Sequence, residues 1–414
     1  MHFGKPLIYA YQRGISCAPY QVSTFDPFED FYMTFIRSYV AAQKNAIRGL
    51  LVFSLVALMA ALVGCGSTKN VTVINPPSGS PASKTIAVGS QPMDVVACDL
   101  NGDKKIDLVS VNSHDNTLTV LLGAGDDTFT SSTITLPTTG VTPVQAVCAD
   151  FNGDGHLDLA VSNLNSQNVT ILLGHGDGTF AVGTSLSTGV GSNPYFIATA
   201  DLNNDTRADL IVLNKSGLTT ASVFLGNGDG TFATAASPVV GNPANIAIGD
   251  FNNDGKMDIA YPDSTNVLQL AMGNGDGTFA APVNTKISVG TYLATANMDG
   301  ALGIDIVTSS GSVLLGAGDG TFTQKSPAVV EDSFVAVGDF NGDAKTDLAM
   351  ITAGASVVTL YSGNGDGTIT SPGSVFNVGQ NPRAIAVGDF NGDGKADVAI
   401  VSSYDNNISI VLGK

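Results

Sequence analysis

Seven nine-residue segments could do chemistry, because each sets short oxygen-bearing side chains at fixed intervals. They are DLNGDKKID from Asp99, DFNGDGHLD from Asp150, DLNNDTRAD from Asp201, DFNNDGKMD from Asp250, NMDGALGID from Asn297, DFNGDAKTD from Asp339 and DFNGDGKAD from Asp389. Positions 1, 3, 5 and 9 carry carboxylate or amide oxygens. Gly or Asn at position 4, and often Gly at position 6, lets the chain curl tightly. A hard cation such as Ca²⁺ takes six to eight oxygen ligands, so the pattern predicts calcium loops. The ligand sets would be Asp99, Asn101, Asp103 and Asp107; Asp150, Asn152, Asp154 and Asp158; Asp201, Asn203, Asp205 and Asp209. Three more follow: Asp250, Asn252, Asp254 and Asp258; Asp339, Asn341, Asp343 and Asp347; Asp389, Asn391, Asp393 and Asp397. No Glu stands at position 12 and strands flank the loops, which sets them apart from an EF-hand. The alternative is an Asx-rich turn that needs no ion.

The sites are not equal. Loops from Asp150, Asp250 and Asp389 keep every feature, whereas Lys104, Thr206 and Ala344 replace the position-6 Gly elsewhere. The fifth begins with Asn297 and has Ala301 at position 5, so it is expected to bind calcium weakly or not at all. About six structural Ca²⁺ ions are expected. Charge agrees: the chain has 36 acidic residues against 18 Lys and Arg. After residue 65 only Glu331 is Glu and every other acid is Asp. Solubility alone would draw on Glu as readily; ligand geometry favours the shorter acid. This balance also excludes a nucleic-acid footprint.

The elements that position the loops repeat with them. Loop starts are spaced 51, 51, 49, 47, 42 and 50 residues apart, and a second motif recurs between them: LLGAGDDTF, LLGHGDGTF, FLGNGDGTF, AMGNGDGTF, LLGAGDGTF and YSGNGDGTI. Each unit has room for four short strands: one before the loop, one after it, and one on each side of the Gly-rich turn. No 3.6-residue apolar period appears after residue 65. Seven such units predict an all-β, seven-bladed β-propeller of four-stranded blades over residues 84–414. The last unit stops after its third strand, at Ile408 to Gly413. Lys84 to Val88 is expected to pair into it as the missing fourth, sealing the ring. The Gly-rich turns resemble phosphate cradles, but no helix follows them; Phe129, Phe180, Phe232, Phe279 and Phe322 just after them are expected to pack between blades.

Loops and turns together resemble the FG-GAP/VCBS repeat family, whose propellers are similar to the integrin α-subunit head. The resemblance covers roughly residues 84–414. It implies the propeller fold and adds a backbone carbonyl at position 7 as a calcium ligand. The family spans adhesins, lectins, enzyme accessory domains and proteins of unknown role, so it implies no single function.

The N-terminal region has a different character. Leu50 to Gly64 is an apolar run of 15 residues, preceded by Arg37, Lys44 and Arg48. It is short for a membrane span and suits the core of a signal peptide. Leu62-Val63-Gly64-Cys65 resembles the bacterial lipobox, which implies lipidation of Cys65; a simple membrane anchor with a chance Cys is the alternative. Residues 1–32 fit no signal pattern and are taken as an upstream extension, with 33–64 as the signal peptide starting at Met33. Residues 65–83 are the lipidated Cys and a flexible tether. The expected location is outside the cytoplasm, anchored by lipid to the bacterial envelope at the outer membrane or cell surface.

Catalysis has little to work with. Past residue 65 only His114, His156 and His175 remain, with no HExxH and no G-x-S-x-G. Cys98 lies one residue before its loop and Cys148 two before, so they point to opposite faces of their strands and are expected as two buried thiols. A binding surface is easier to place. Pro92, Pro143, Pro194, Pro243 and Pro382 each stand seven residues before a loop, at the end of the innermost strand away from the ions. The residue after each, or at the equivalent place, varies: Met93, Val144, Tyr195, Ala244, Thr291, Ser333 and Arg383. Tyr195, Tyr292 and Arg383 are the candidate ligand contacts; ordinary strand-end variation is the alternative. The expected function is recognition of an extracellular glycan or protein by a non-enzymatic monomer. The alternatives are a polysaccharide-lyase-type enzyme, which needs a basic cluster in the channel, and a purely structural envelope protein.

Overall fold

The computed structural model describes residues 80–81, 84–216, 220–235, 241, 243–325, 333–352 and 354–414. Cys65, the apolar run and the upstream extension lie outside the described residues, as does the proposed tether apart from Ser80 and Pro81. All regular elements described are strands, and they form seven four-stranded antiparallel blades of a β-propeller. Blade one is typical: Pro92–Cys98, Asp107–Asn112, Thr117–Gly123 and Phe129–Thr135 pair in sequence order from the centre outward. The second strand is DLVSVN here and DLAVSN in blade two, buried at every residue. Covered on both faces, it is rich in β-branched and aliphatic residues. The outermost strand, FTSSTIT, has mostly exposed side chains and is correspondingly polar.

Blade seven consists of Pro382–Gly388, Asp397–Ser402 and Asn407–Val411, with Lys84–Ala87 antiparallel to the last of these. Ile86 and Val88 thereby pack into the core between blades seven and one. Lys84 also bonds across the seam, its Nζ donating to the carbonyl and carboxylate of Asp127 in blade one. Just upstream, Ser80–Pro81 runs parallel to Ser374–Asn377 at the outer edge of blade six.

Seven apolar clusters fill the seams between blades, so the core is a ring of interfaces. On the first strand of blade one, Val96 and Cys98 face blade two, where they meet Ala146 and Cys148. Val95 and Ala97, the alternate residues, face Ala384 and Ala386 of blade seven. Each blade thus presents one face to the next blade and the other to the one before. This corrects the expectation of two separate thiols: Cys98 and Cys148 are joined as a disulfide. Opposite strand parity, which would separate them in one sheet, is the condition for meeting across a seam.

Aromatic rings complete the seams. Phe129 packs on Phe390, Phe232 on Phe151 and Phe322 on Phe251, each edge-to-face with centroids 5.6–6.1 Å apart. In each pair the residue after one blade's Gly-rich turn meets position 2 of the preceding blade's loop. Where position 2 is Leu100 or Leu202, Phe180 and Phe279 pack into the corresponding clusters.

Candidate functional site

Candidate site residues lie at two ends of the propeller. At one, each aspartate loop is tied into its blade by the carboxylate at position 9. Asp158 is fully buried; its Oδ2 accepts the Phe151 amide at 2.9 Å and its Oδ1 the Gly174 amide at 2.7 Å. Asp107, Asp209, Asp258, Asp305, Asp347 and Asp397 do the same, each joining position 2 of its loop to a glycine at the end of the third strand. Burial raises the pKa of each of these seven acids above the ordinary range, against the opposing pull of those amide bonds. The loop and the Gly-rich turn are therefore two halves of one knot. A belt of main-chain bonds links the knots, because Gly230, Gly277, Gly320 and Gly367 donate to the position-2 carbonyls of Phe151, Leu202, Phe251 and Met298 in the preceding blades.

Positions 1, 3 and 5 remain at the surface and converge. In the loop from Asp250, Oδ1 of Asp250 and Oδ1 of Asn252 both accept the Asp254 amide, at 3.1 and 2.9 Å. Asp250 Oδ2 takes the Gly255 amide and Asp254 Oδ1 the Lys256 amide. The loops from Asp99, Asp201, Asp339 and Asp389 repeat these bonds. Position 6 is left-handed even where it is not Gly, at Lys104, Thr206 and Ala344, so the surrounding bonds impose the curl.

The donor set fits a hard cation at positions 1, 3 and 5: two carboxylates and one amide oxygen. Position 9 accepts one main-chain amide at each of its oxygens, which leaves each a further lone pair on the side of positions 1 and 5, whose charges act on it. Among the described residues no three carboxylate, imidazole or thiol side chains group closely enough to hold a metal. An ion in one of these loops would draw its remaining ligands from main-chain carbonyls and water. The fifth loop lacks even this set, with Asn297 bonding Gly300 and Ala301 and only Asp299 as a rim carboxylate.

One feature of these loops escapes the oxygen-counting view. Position 7 is basic in all six intact loops: Lys105, His156, Arg207, Lys256, Lys345 and Lys395. Lys105, Arg207 and Lys256 reach back to the position-5 carboxylates at 3.6–3.9 Å. The stems of Lys105, Arg207, Lys256 and Lys345 lie over a glycine of the neighbouring turn. The six intact segments, aligned, show this column of basic residues in the sequence itself.

At the opposite end the seven innermost strands surround a central cavity of about 320 Å³. Residues from all seven blades line it, among them Met93, Val144, Tyr195, Ala244, Tyr292, Phe334 and Arg383. Their inward aim has a local cause. Pairing steps from Pro92↔Asn112 to Asp94↔Val111, leaving Met93 as an extra residue. The same bulge isolates Val144, Tyr195 and Arg383. A bulge re-aims its extra side chain. Blade six keeps regular pairing from Ser333 onward, and there Phe334 lines the cavity; in blade five Tyr292 does so. Thr291 lines an adjoining recess of about 460 Å³, whose rim carries Lys215 and Asp263.

The three candidate ligand contacts come together in this cavity. Tyr292 and Phe334 form a tilted pair with ring centroids 4.3 Å apart. Tyr195 donates its hydroxyl to the Pro243 carbonyl, which leaves its ring as the contacting part. Burial, and then Tyr292 nearby, push its pKa up. The buried Nε of Arg383 has no hydrogen-bond partner. The polar residues beside them are occupied in holding blades together. Asp94 accepts the Ala146 amide, Gln145 the Ile197 amide, and Asn245 pairs with both main-chain groups of Leu293. Burial pushes the Asp94 pKa up to about 7.

Comparison with known proteins adds the following. An FG-GAP-like repeat model matches residues 99–161, 150–212, 207–261 and 339–400, together more than half of the chain. Cartilage acidic protein 1 of Xenopus tropicalis is 27% identical over 198 residues, which are 40% of this chain and 30% of that protein. The chain thus spans less than a third of that relative's length. Among solved structures, BBS1N in complex with ARL6DN is similar with a TM-score of 0.56 at 16% identity, covering 81% of this chain and 97% of that one. A protein from Lactobacillus plantarum gives a TM-score of 0.52 at 14% identity, covering 71% and 87%. Both likenesses show the fold.

Proposed function

The chain belongs to the FG-GAP-like repeat family, and from that premise we propose that it is a non-enzymatic recognition module. It binds an extracellular glycan or protein at the central cavity. The observation that carries this is the ring of unlike side chains on an otherwise repeated scaffold, four of them set by bulges and Tyr292 and Phe334 beside them. Tyr195, Tyr292 and Phe334 also pack or bond within the seams, but Arg383 brings a cation into the channel that no seam contact uses. Enclosed aromatic faces with a few polar groups are the usual makings of a ligand pocket. The lyase reading asks for a basic cluster, and Arg383 is the sole cation among the described residues lining the central cavity.

Around this site the module is a monomer, exported and held by lipid on Cys65 at the bacterial envelope, with no part in nucleic-acid binding. The Cys98–Cys148 disulfide supports export, since such bonds persist in oxidising compartments. Calcium is proposed as a structural ion in the six intact loops, held through positions 1, 3, 5 and 9. A glycan array probed with the soluble body, residues 66–414, with and without calcium, tests the reading. Binding abolished by Tyr292→Ala or Tyr195→Ala is the expected result. Release of unsaturated products would make the protein a lyase, and silence on glycans together with failure to retain any envelope protein would leave it a structural subunit.

A further inference from the structure

The central cavity has a chemical bias beyond its shape. Its aromatic side is built by Tyr195, Tyr292 and Phe334, with Tyr292 and Phe334 stacked on each other. Opposing polar groups are few: both ends of the Asn245 amide pair with Leu293, and Gln145 spends its carbonyl oxygen on the Ile197 amide. Arg383 is different. Its Nε is buried without a hydrogen-bond partner, and it enters no ion pair among the described residues. Leaving a buried charged donor unpaired is costly, and a carboxylate is the group its planar fork matches best. In a chain of net charge −18 a solitary cation in the channel is poorly explained by solubility. The aspartate loops that carry most of the acid lie at the other end.

From this we infer that the cavity binds a carboxylate borne on a ring, with Arg383 holding the carboxylate and the Tyr292–Phe334 side holding the ring face. The inference rests on the reading of the cavity as the recognition site and names the ligand class it takes. Asp94, the acid lining the same cavity, does not cancel the arrangement. Its carboxyl accepts the Ala146 amide, and burial keeps a substantial part of it protonated near neutral pH. Two bodies would offer such a group: an acidic sugar or an aromatic acid.

Calorimetric titration of the full chain with two matched pairs separates them: glucuronate against glucose, and benzoate against benzyl alcohol. The acid should bind at least about tenfold more tightly than its neutral partner in one pair, as expected for a charged hydrogen bond. The pair that shows it identifies the body. Arg383→Gln should erase the preference, and Arg383→Lys should keep part of it, with unchanged melting showing that both variants fold. Equal binding of acid and neutral member, a preference that survives Arg383→Gln, or no binding in either pair would overturn the inference. Neutral sugar bound without acid preference, and lost in Tyr292→Ala, would overturn it while leaving the recognition reading intact.

Discussion

Two buried carboxylates illustrate how differently the same side chain can be used. Asp158 and its counterparts hold two amides each and serve the fold. Asp94 accepts an amide from the next blade and sits at the cavity, 9% exposed, with burial pushing its pKa from 3.8 up to about 7. The folded state therefore keeps a proton that the unfolded chain gives up near pH 4. Stability on this account is full below the unfolded value, falls as pH climbs through the window up to about 7, and is flat above it. A shift of this size corresponds to about 4 kcal/mol at most. Asp94→Asn keeps an acceptor for Ala146 and removes the titration. Urea unfolding at pH 5 and pH 8 should find the variant increasingly more stable than the parent as pH rises. A stability difference independent of pH would show that Asp94 ionises normally.

At the scale of strands and turns, the knot under each loop makes a sharp demand on one residue. A Cβ on Gly174 would stand 2.1 Å from the Leu157 carbonyl, and equivalent glycines in the other blades are similarly crowded. Gly174→Ala must push the third strand away from the carboxylate that anchors it, at a cost of about 2–3 kcal/mol. A loss of unfolding free energy below about 0.3 kcal/mol by urea titration would refute the close approach. The recurrence of this glycine was plain in the sequence, and so were strand order and blade count, because loops and turns punctuate every unit. What escaped were relations between units. The Cys98–Cys148 bond was hidden because alternation is a rule within one sheet, while these residues meet across two. Phe334 escaped because blade six pairs regularly from Ser333 onward, without the bulge found in blades one, two, three and seven, and pairing leaves no mark in the sequence there. The disulfide closes a sequence separation of 50 residues, and its reduction should cost roughly 2–4 kcal/mol. Melting with and without reductant, against a Cys98→Ser control that shows no further loss, checks this.

Across the whole ring the aspartate loops share one end of the molecule, so their charge is a collective load. Two rim carboxylates per intact loop, with a basic position 7 beside them, can be borne by Asx-type bonds and those cations; an added dication would neutralise the rest. A site of 10⁻⁴ M affinity in millimolar calcium contributes roughly 1.4 kcal/mol, and six independent sites about 8 kcal/mol. The loops from Asp150, Asp250 and Asp389, with Gly at position 6, should dominate. Thr206, Lys104 and Ala344 adopt the left-handed conformation at some cost and so hold their loops less well. Thermal melts should therefore rise from chelator to millimolar calcium. Asp150→Asn with Asp154→Asn should remove about one site's share of the rise, whereas Asp299→Asn in the fifth loop should remove none. Identical melts in chelator and calcium would mean that the knots and their cations hold this end of the propeller unaided.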